Sequence, residues 1–319
     1  MESQVEPGVQ LKERMWDYTT LDMYLRCKRK YYWRIVRDLE HMTTSPALDF
    51  GKTVHASLEA YYKNKRSLPE AMKVWDSYIT KEGDELRTQA NGQKLMEWYD
   101  KVYQHCPLEI LQVEIGFAVP VYNPTEFCVK CSKQLEMHKE NCPNCNYPRS
   151  IMYCGRIDGL AKWDGQLFAL EHKTTSVMGY SYFEQFRPNM QIDGYTYAAS
   201  QLLQEPCAGA IVNALEPWKE VKRVTEKTKK PEDHFARKPI MRSAEELKDF
   251  ALEVNQLVCE ILQAEEKQVY YKTKSACFQY NYSCPYKQLC LYGDDERLIK
   301  KDYNVSKWEP YKQLENEGV

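Results

Sequence analysis

Apolar residues recur at helical spacing near the start of the chain. The positions on one side are Leu21, Tyr24, Leu25, Tyr32 and Ile35. This period predicts an amphipathic helix over residues 19–36, with Cys27 on it. Thr19 and Asp22 have the spacing of a capping box at its start. Further helices are predicted over 50–65 and over 68–103, the latter interrupted near Gly83 and Gly92.

The period then changes to that of strands. Leu111, Val113, Ile115, Phe117 and Val119 alternate with other residues, which predicts a strand over 111–119 with Glu114 on its opposite face. Two more strands, 151–163 and 166–174, flank Asp164-Gly165, a hairpin signal. A helix over 188–203, a strand over 210–215 and a helix over 243–267 follow. Strands mixed with helices in this order predict an α/β fold.

Composition narrows the class of protein. The 319 residues are 43% apolar, which is enough for a real core, and the net charge is −2. This balance argues against a protein that binds nucleic acid through a global basic surplus, so any DNA contact must be local. The polar N-terminus and the lack of a long apolar run predict a cytoplasmic protein without membrane contact.

Four of the twelve cysteines form a pair of knuckles. The spacing Cys128-x2-Cys131-x10-Cys142-x2-Cys145 predicts a zinc ribbon over residues 124–150, inserted between two strands. The ribbon either guides a substrate or partner or clips a long hairpin together, and the sequence leaves both open. Four single cysteines are interpreted as small buried hydrophobes: Cys106, Cys154, Cys207 and Cys259.

A carboxylate, carboxylate, lysine pattern follows the hairpin. Glu171 and Lys173 are two residues apart on one strand and so face the same side, and Asp158 lies on the neighbouring strand. Two such carboxylates can hold Mg²⁺ or Mn²⁺, which polarises a phosphoryl oxygen and acidifies a bound water. The lysine can offset charge in the transition state. Spacing alone is more typical of a charged strand face in solvent.

The context of this pattern resembles the PD-(D/E)XK nucleases. Residues 155–159, Gly-Arg-Ile-Asp-Gly, look like the motif with the first metal-binding aspartate, and Glu171-His172-Lys173 looks like the (D/E)XK motif. The resemblance implies a restriction-endonuclease-like core, a mixed central sheet flanked by helices. It also implies catalytic roles for Asp158, Glu171 and Lys173.

Further motifs resemble the RecB-like branch. Residues 51–55 match its Gly-x3-His, which implies that His55 is a metal ligand beside Asp158 and Glu171. Gln191 and Tyr195 match its Gln-x3-Tyr, one helical turn apart, where they could position Lys173 or the scissile phosphate. Glu114 stands where such nucleases often carry an acidic residue near the metals. The resemblance implies that residues 1–319 form one nuclease domain.

The remaining cysteines resemble those of iron-sulfur nucleases. Cys27 is early in the chain, and Cys277, Cys284 and Cys290 are late. This distribution is similar to that of CRISPR-associated adaptation exonucleases and AddB-type nuclease domains, which implies a four-iron, four-sulfur cluster joining segments 17–40 and 272–293. The interval from Cys277 to Cys284 is longer than usual there. Free thiols or zinc are the alternatives.

The function expected from these patterns is metal-dependent hydrolysis of DNA. The resemblance implies exonuclease action on single strands or free ends, in a prokaryotic or viral setting. The alternative is a catalytically inactive nucleic-acid-binding or assembly subunit with structural iron-sulfur and zinc sites. A redox or regulatory module is a third hypothesis, which leaves the match at 191–195 unexplained. The chain carries no P-loop, so a helicase, like any recombination or adaptation partner, must be another chain.

Overall fold

The computed structural model describes residues 14–136, 139–179, 181–218, 228–279 and 282–313. The polar residues 1–13, used above to predict localisation, lie outside this part. The α-helices in the described part are α1 (Tyr18–Arg26), α2 (Lys28–Tyr31), α3 (Pro46–Lys63), α4 (Leu68–Trp75), α5 (Gln89–Tyr103), α6 (Met190–Leu203), α7 (Ala244–Lys267), α8 (Lys287–Tyr292) and α9 (Glu296–Asp302). The strands are β1 (Met15–Asp17), β2 (Leu39–His41), β3 (Glu109–Tyr122), β4 (Ser150–Trp163), β5 (Gln166–Thr174), β6 (Cys207–Leu215), β7 (Phe235–Met241), β8 (Phe278–Gln279), β9 (Tyr282–Ser283) and β10 (Tyr303–Val305).

The chain divides into two compact units. The first comprises the described parts of Met1–Thr43, Gly116–Gly155 and Ala244–Val319. The second comprises those of Thr44–Ile115 and Arg156–Ser243. The assignment of residues 1–319 to one nuclease domain stays a prediction.

The second unit is built on a mixed sheet. β4 and β5 pair antiparallel, β5 and β6 pair parallel, and β6 and β7 pair antiparallel. The predicted hairpin is confirmed, because Asp164 and Gly165 adopt the positive φ values of 50° and 77° that a tight two-residue turn requires. α3 packs against β5, and α6 packs against β5 and β6. The predicted α/β fold, a mixed sheet flanked by helices, is confirmed.

A core rich in aromatic residues holds α3, α4 and α5 together in this unit. Trp75 at the end of α4 is fully buried, and its ring lies against Gly92 in α5. A Cβ at residue 92 would be 2.1 Å from that ring, so only glycine fits there. The expected helix break near Gly92 is therefore wrong, whereas Gly83, with φ 80°, does lie in the turn before α5.

In the first unit, β1 pairs parallel with the start of β4, and α1 packs against α7. The predicted helix over 19–36 is interrupted at Cys27, which is extended (φ −163°) and separates α1 from α2. The extended turn brings its thiol to the Thr273 N–H, which donates to Cys27 Sγ at 3.4 Å. The N-cap is Asp17, which accepts from the Thr20 N–H at 3.0 Å, so the expected capping box is wrong.

β3 follows the predicted alternation only in part. Burial alternates regularly from Ile115 to Val121, but Leu111 is 37% exposed instead of buried. The cause is Glu114, whose φ of 51° lies in the left-handed region and kinks the strand. Residues before the kink therefore leave the face that the sequence period assigns to them.

No helix in the described part of the chain is both long and apolar enough to cross a bilayer.

Candidate active site and thiol clusters

The middle of α3 presents His55 to the sheet. Ser45 caps the helix by accepting from the Leu48 N–H at 3.2 Å, and Pro46 occupies its first turn. One turn before His55, a Cβ on Gly51 would lie 3.2 Å from Thr174 Oγ1 at the end of β5. Glycine at this position lets the helix approach β5 closely.

Asp158 on β4 connects the helix to the neighbouring strand. Its Oδ1 lies 3.2 Å from His55 Nδ1, and its Oδ2 accepts from the His172 N–H at 2.6 Å. The β4–β5 register pairs Gly159 with Leu170, so continuing it places Asp158 opposite Glu171. The hairpin thus brings the two predicted carboxylates to one place.

Glu114 completes a compact ligand group with His55 and Asp158. One ligand atom from each of the three lies within 4.8 Å of the others. Glu114 has a φ of 51°, a strained backbone conformation of the kind that occurs at functional sites. Arg156 Nη1 lies 3.8 Å from its carboxylate.

Glu171 and Lys173 lie beside that group. Glu171 is 2% exposed and forms an ion pair with Lys173 through Oε1. Its other oxygen, Oε2, is buried and accepts no hydrogen bond from any described residue. A buried carboxylate oxygen without a donor fits a cation, because such an oxygen is otherwise costly to bury.

Gln191 and Tyr195 on α6 continue the chain of contacts. Lys173 Nζ donates to Gln191 Oε1 at 3.0 Å, and Gln191 Nε2 donates to the Tyr195 hydroxyl at 3.2 Å. Asn189 caps the helix by accepting from the Gln191 and Ile192 N–H groups. The structure therefore places this motif next to Lys173.

The charges of the site are strongly coupled. Burial alone would lower the pKa of His55, but the Asp158 carboxylate raises it to about 9. Burial would raise the pKa of Asp158, yet His55 and the His172 N–H lower it to about 2. Burial and the Asp158 charge raise the pKa of Glu114 to about 7. Without a cation, His55 is thus the positive partner of Asp158.

Behind the carboxylates lies a polar network that the sequence does not reveal. His172 is 3% exposed, and its Nδ1 accepts from Asn213 Nδ2 at 2.8 Å. Arg237 Nε donates to Asn213 Oδ1 at 2.9 Å and fixes that amide. The Arg237 guanidinium also donates to the hydroxyls of Tyr62 and Tyr99. Burial lowers the pKa of His172 to about 3, so this ring is neutral.

The site opens into a cavity of about 460 Å³. Lys52 and Glu59 line it together with His55, and neither was among the predicted site residues. Both lie three or four positions from His55, so helical spacing is the signal that could have found them. Glu59 forms an ion pair with Lys63 at 2.7 Å.

The four thiols of Cys128, Cys131, Cys142 and Cys145, here called the thiol cluster, lie within 4.8 Å of one another. Cys128 Sγ is 3.6 Å from Cys145 Sγ, and Cys131 Sγ is 3.6 Å from Cys142 Sγ. Two sulfurs bound tetrahedrally to one zinc at about 2.3 Å would be about 3.8 Å apart. The thiol cluster therefore fits a four-coordinate metal site.

The two knuckles of the thiol cluster repeat one backbone geometry. The N–H groups of Ser132 and Asn146 donate to the carbonyls of Cys128 and Cys142, each at 2.9 Å. Ser132 and Asn146 have left-handed φ values of 56° and 57°. The Tyr147 hydroxyl donates to the Asn255 carbonyl at 3.1 Å and ties the second knuckle to α7.

Cys27, Cys277, Cys284 and Cys290, here called the second cysteine set, lie in the first unit. The Cys284 N–H donates to the Cys277 carbonyl at 2.9 Å. Burial raises the pKa of Cys290. Among described residues, this set is not one of the groups whose ligand atoms all lie within 4.8 Å.

Comparison with known families identifies the class of protein. The profile of the PD-(D/E)XK nuclease superfamily matches residues 16–291, which is most of the chain. The chain therefore belongs to the PD-(D/E)XK nuclease superfamily, as its motifs predicted, and membership implies a metal-dependent nuclease. A search of curated proteins finds no significant match.

Proposed function

We propose that this chain is a magnesium- or manganese-dependent deoxyribonuclease of the RecB-like branch. The observation that carries the proposal is the convergence of His55, Glu114 and Asp158 beside Glu171 Oε2, an acceptor without a donor, at an open cavity. Oxygen-rich ligand groups of this kind suit hard divalent cations, and one histidine suits manganese.

His55, Glu114, Asp158 and Glu171 would hold the cation. A divalent cation bound there polarises the scissile phosphate and makes water a stronger acid. Glu171 and Asp158 supply negative charge for the cation, while the buried, neutral His172 adds none. His172 also holds Asp158 through its backbone N–H at 2.6 Å, so the carboxylate is oriented before substrate arrives.

Lys173 is the group proposed to act on the phosphate. Its ammonium lies between Glu171 and Gln191, and it lines the cavity. Tyr195 holds Gln191, and Gln191 holds Lys173, so the ammonium is aimed by α6. A fixed cation beside the reacting phosphorus offsets the negative charge that builds in the transition state.

We also propose that the thiol cluster binds zinc and that the second cysteine set binds an iron-sulfur cluster. Sulfur separations of 3.6 Å support a single tetrahedral ion in the first case. For the second set the proposal rests on the resemblance of one early and three late cysteines to those of iron-sulfur nucleases. Exonuclease action on single strands or free ends, in the cytoplasm and beside a helicase or recombination or adaptation partner, follows from the family resemblance.

The test compares wild type with Lys173→Ala on labelled single- and double-stranded DNA, with Mn²⁺ or with chelator. We expect cleavage only with the metal, and a loss of about 10²–10³-fold in rate for the variant, as for removal of one transition-state donor. Lys162→Ala is the matched control, since both lysine side chains are 31% exposed and ion-paired. Equal cleavage by wild type and Lys173→Ala would refute the proposal.

A further inference from the structure

A second cavity adjoins the one at the candidate active site. It has a volume of about 560 Å³ and is lined by α3, the end of α4 and the segment 77–81. Lys52 and Ala56 on α3 line both cavities, so the second begins where the first ends. Each has the volume of a pocket for one small ligand, roughly 300–1,000 Å³, which suits a nucleotide or two and not a duplex.

The wall shared by the two cavities carries an available positive charge. Lys52 is exposed and forms none of the ion pairs found among the described residues. The pKa of Asp49 is lowered by its ion pair with Lys81 and, to a smaller extent, by the charge of Lys52. The two adjoining cavities are together called the groove. Lys81, which lines the second cavity, is instead paired with Asp49 at 2.6 Å. Of Lys52 and Lys81, Lys52 is therefore the lysine whose ammonium can contact a phosphate without first breaking an ion pair.

The far end of the groove presents an apolar side chain to solvent. Ile79 is 83% exposed. The residues on either side are anchored: the Tyr78 hydroxyl donates to the Arg87 carbonyl at 3.0 Å, and Thr80 Oγ1 accepts from the Gln89 N–H at 3.0 Å. These anchors hold Ile79 outward, where it can lie against a flat apolar group.

We propose that one strand of DNA runs from the carboxylates along this groove, with a backbone phosphate at Lys52 and a base against Ile79. The inference rests on the proposed nuclease function and assigns the path of the single strand to named residues. A cation followed by an exposed apolar group matches the alternation of phosphate and base along a single strand. In a duplex the base faces are stacked inside, beyond the reach of Ile79.

The test is equilibrium binding of fluorescein-labelled oligothymidylate, measured by anisotropy in chelator, so that turnover is not needed. We expect Ile79→Ser to weaken binding about fivefold, because an isoleucine side chain that lies against a base removes apolar surface from water. Lys52→Ala should reduce the slope of log affinity against log salt by about 0.7, the loss of one phosphate contact. Duplex binding should be unchanged in Ile79→Ser.

The controls are Lys101→Ala, an exposed lysine on α5, and Val305→Ser, an apolar residue that is 78% exposed. Wild-type affinity and salt slope in both groove variants, equal losses in the controls, or an equal loss on duplex DNA would overturn the inference. Cleavage by wild type with Mn²⁺ is measured separately. An absence of cleavage would refute the proposed nuclease function. The binding measurements test DNA binding in the groove independently of that result.

Discussion

The thiol cluster and the carboxylate site are two ligand groups of opposite construction. The four thiols come from residues 128–145 alone and repeat one local backbone turn. The carboxylate site draws His55 from α3, Glu114 from β3 and Asp158 from β4, with Glu171 beside them on β5. Local groups are specified by spacing, whereas dispersed groups depend on the whole sheet. The predictions below test this contrast.

The largest effect is expected from loss of one thiol. Cys142→Ser should weaken binding of the proposed zinc more than a hundredfold, because a four-thiolate site is worth about 10–16 kcal/mol and one quarter of that is about 3 kcal/mol. Competition with a zinc chelator measures the affinity, and amide hydrogen exchange over residues 124–150 measures the loss of structure. Cys106→Ser, outside both sets, should keep the wild-type zinc affinity. An unchanged zinc affinity in Cys142→Ser would contradict a site built from these four thiols alone.

A pH-dependent affinity is expected at the carboxylate site. His55 has a pKa of about 9 without metal, so below pH 9 a cation must displace its proton. Mn²⁺ affinity should rise about tenfold per pH unit from 7 to 9 and level off above it. Below pH 7 the rise should be steeper, since the pKa of Glu114 is about 7.

The free Mn²⁺ signal in electron paramagnetic resonance, titrated from pH 6 to 9.5, measures this effect. His55→Gln is the control. Its log Mn²⁺ affinity should rise less steeply with pH, by the one proton that His55 releases in the wild type. In the metal-free protein, the raised His55 pKa stabilises the fold fully below about pH 6.5, and this stabilisation is lost as pH rises towards 9. A metal affinity that does not change with pH would show that His55 is not a ligand.

The smallest effect is expected in the knuckle turns. Ser132→Gly should stabilise the zinc-bound protein by up to about 1 kcal/mol, because serine at φ 56° carries a left-handed penalty that glycine lacks. Asn146→Gly, at φ 57°, should change stability less, since asparagine tolerates this conformation. Thermal unfolding of the two variants makes the comparison. A larger gain for Asn146→Gly would mean that the knuckles are not equivalent.

The same contrast explains what the sequence predicted. The knuckle spacing, the Asp164-Gly165 turn and the pairing of Glu171 with Lys173 depend on residues close in the chain, and the structure has all three. The superfamily followed from motifs in the right order. Catalytic and ligand roles of individual residues stay predictions.

Features that depend on tertiary packing were missed. Gly92 lies within α5 because the Trp75 ring occupies the space of its side chain, which no local pattern encodes. The helix ends at Cys27 in an extended turn that the apolar period does not anticipate. The network from Arg237 through Asn213 to His172 joins three strands, and although His172 lies within the (D/E)XK-like motif, no sequence pattern links it to Asn213 or Arg237.

The residue at position 114 must both tolerate a left-handed backbone and supply a carboxylate. A left-handed backbone costs a residue with a side chain about 1–2 kcal/mol, and glycine would remove that cost while leaving the position without a carboxylate. A β-branched residue, common in strands, would satisfy neither demand. Relatives that have lost nuclease activity are therefore expected to replace the acidic residue at position 114 early. An acidic residue with this strained backbone would then indicate an active nuclease site.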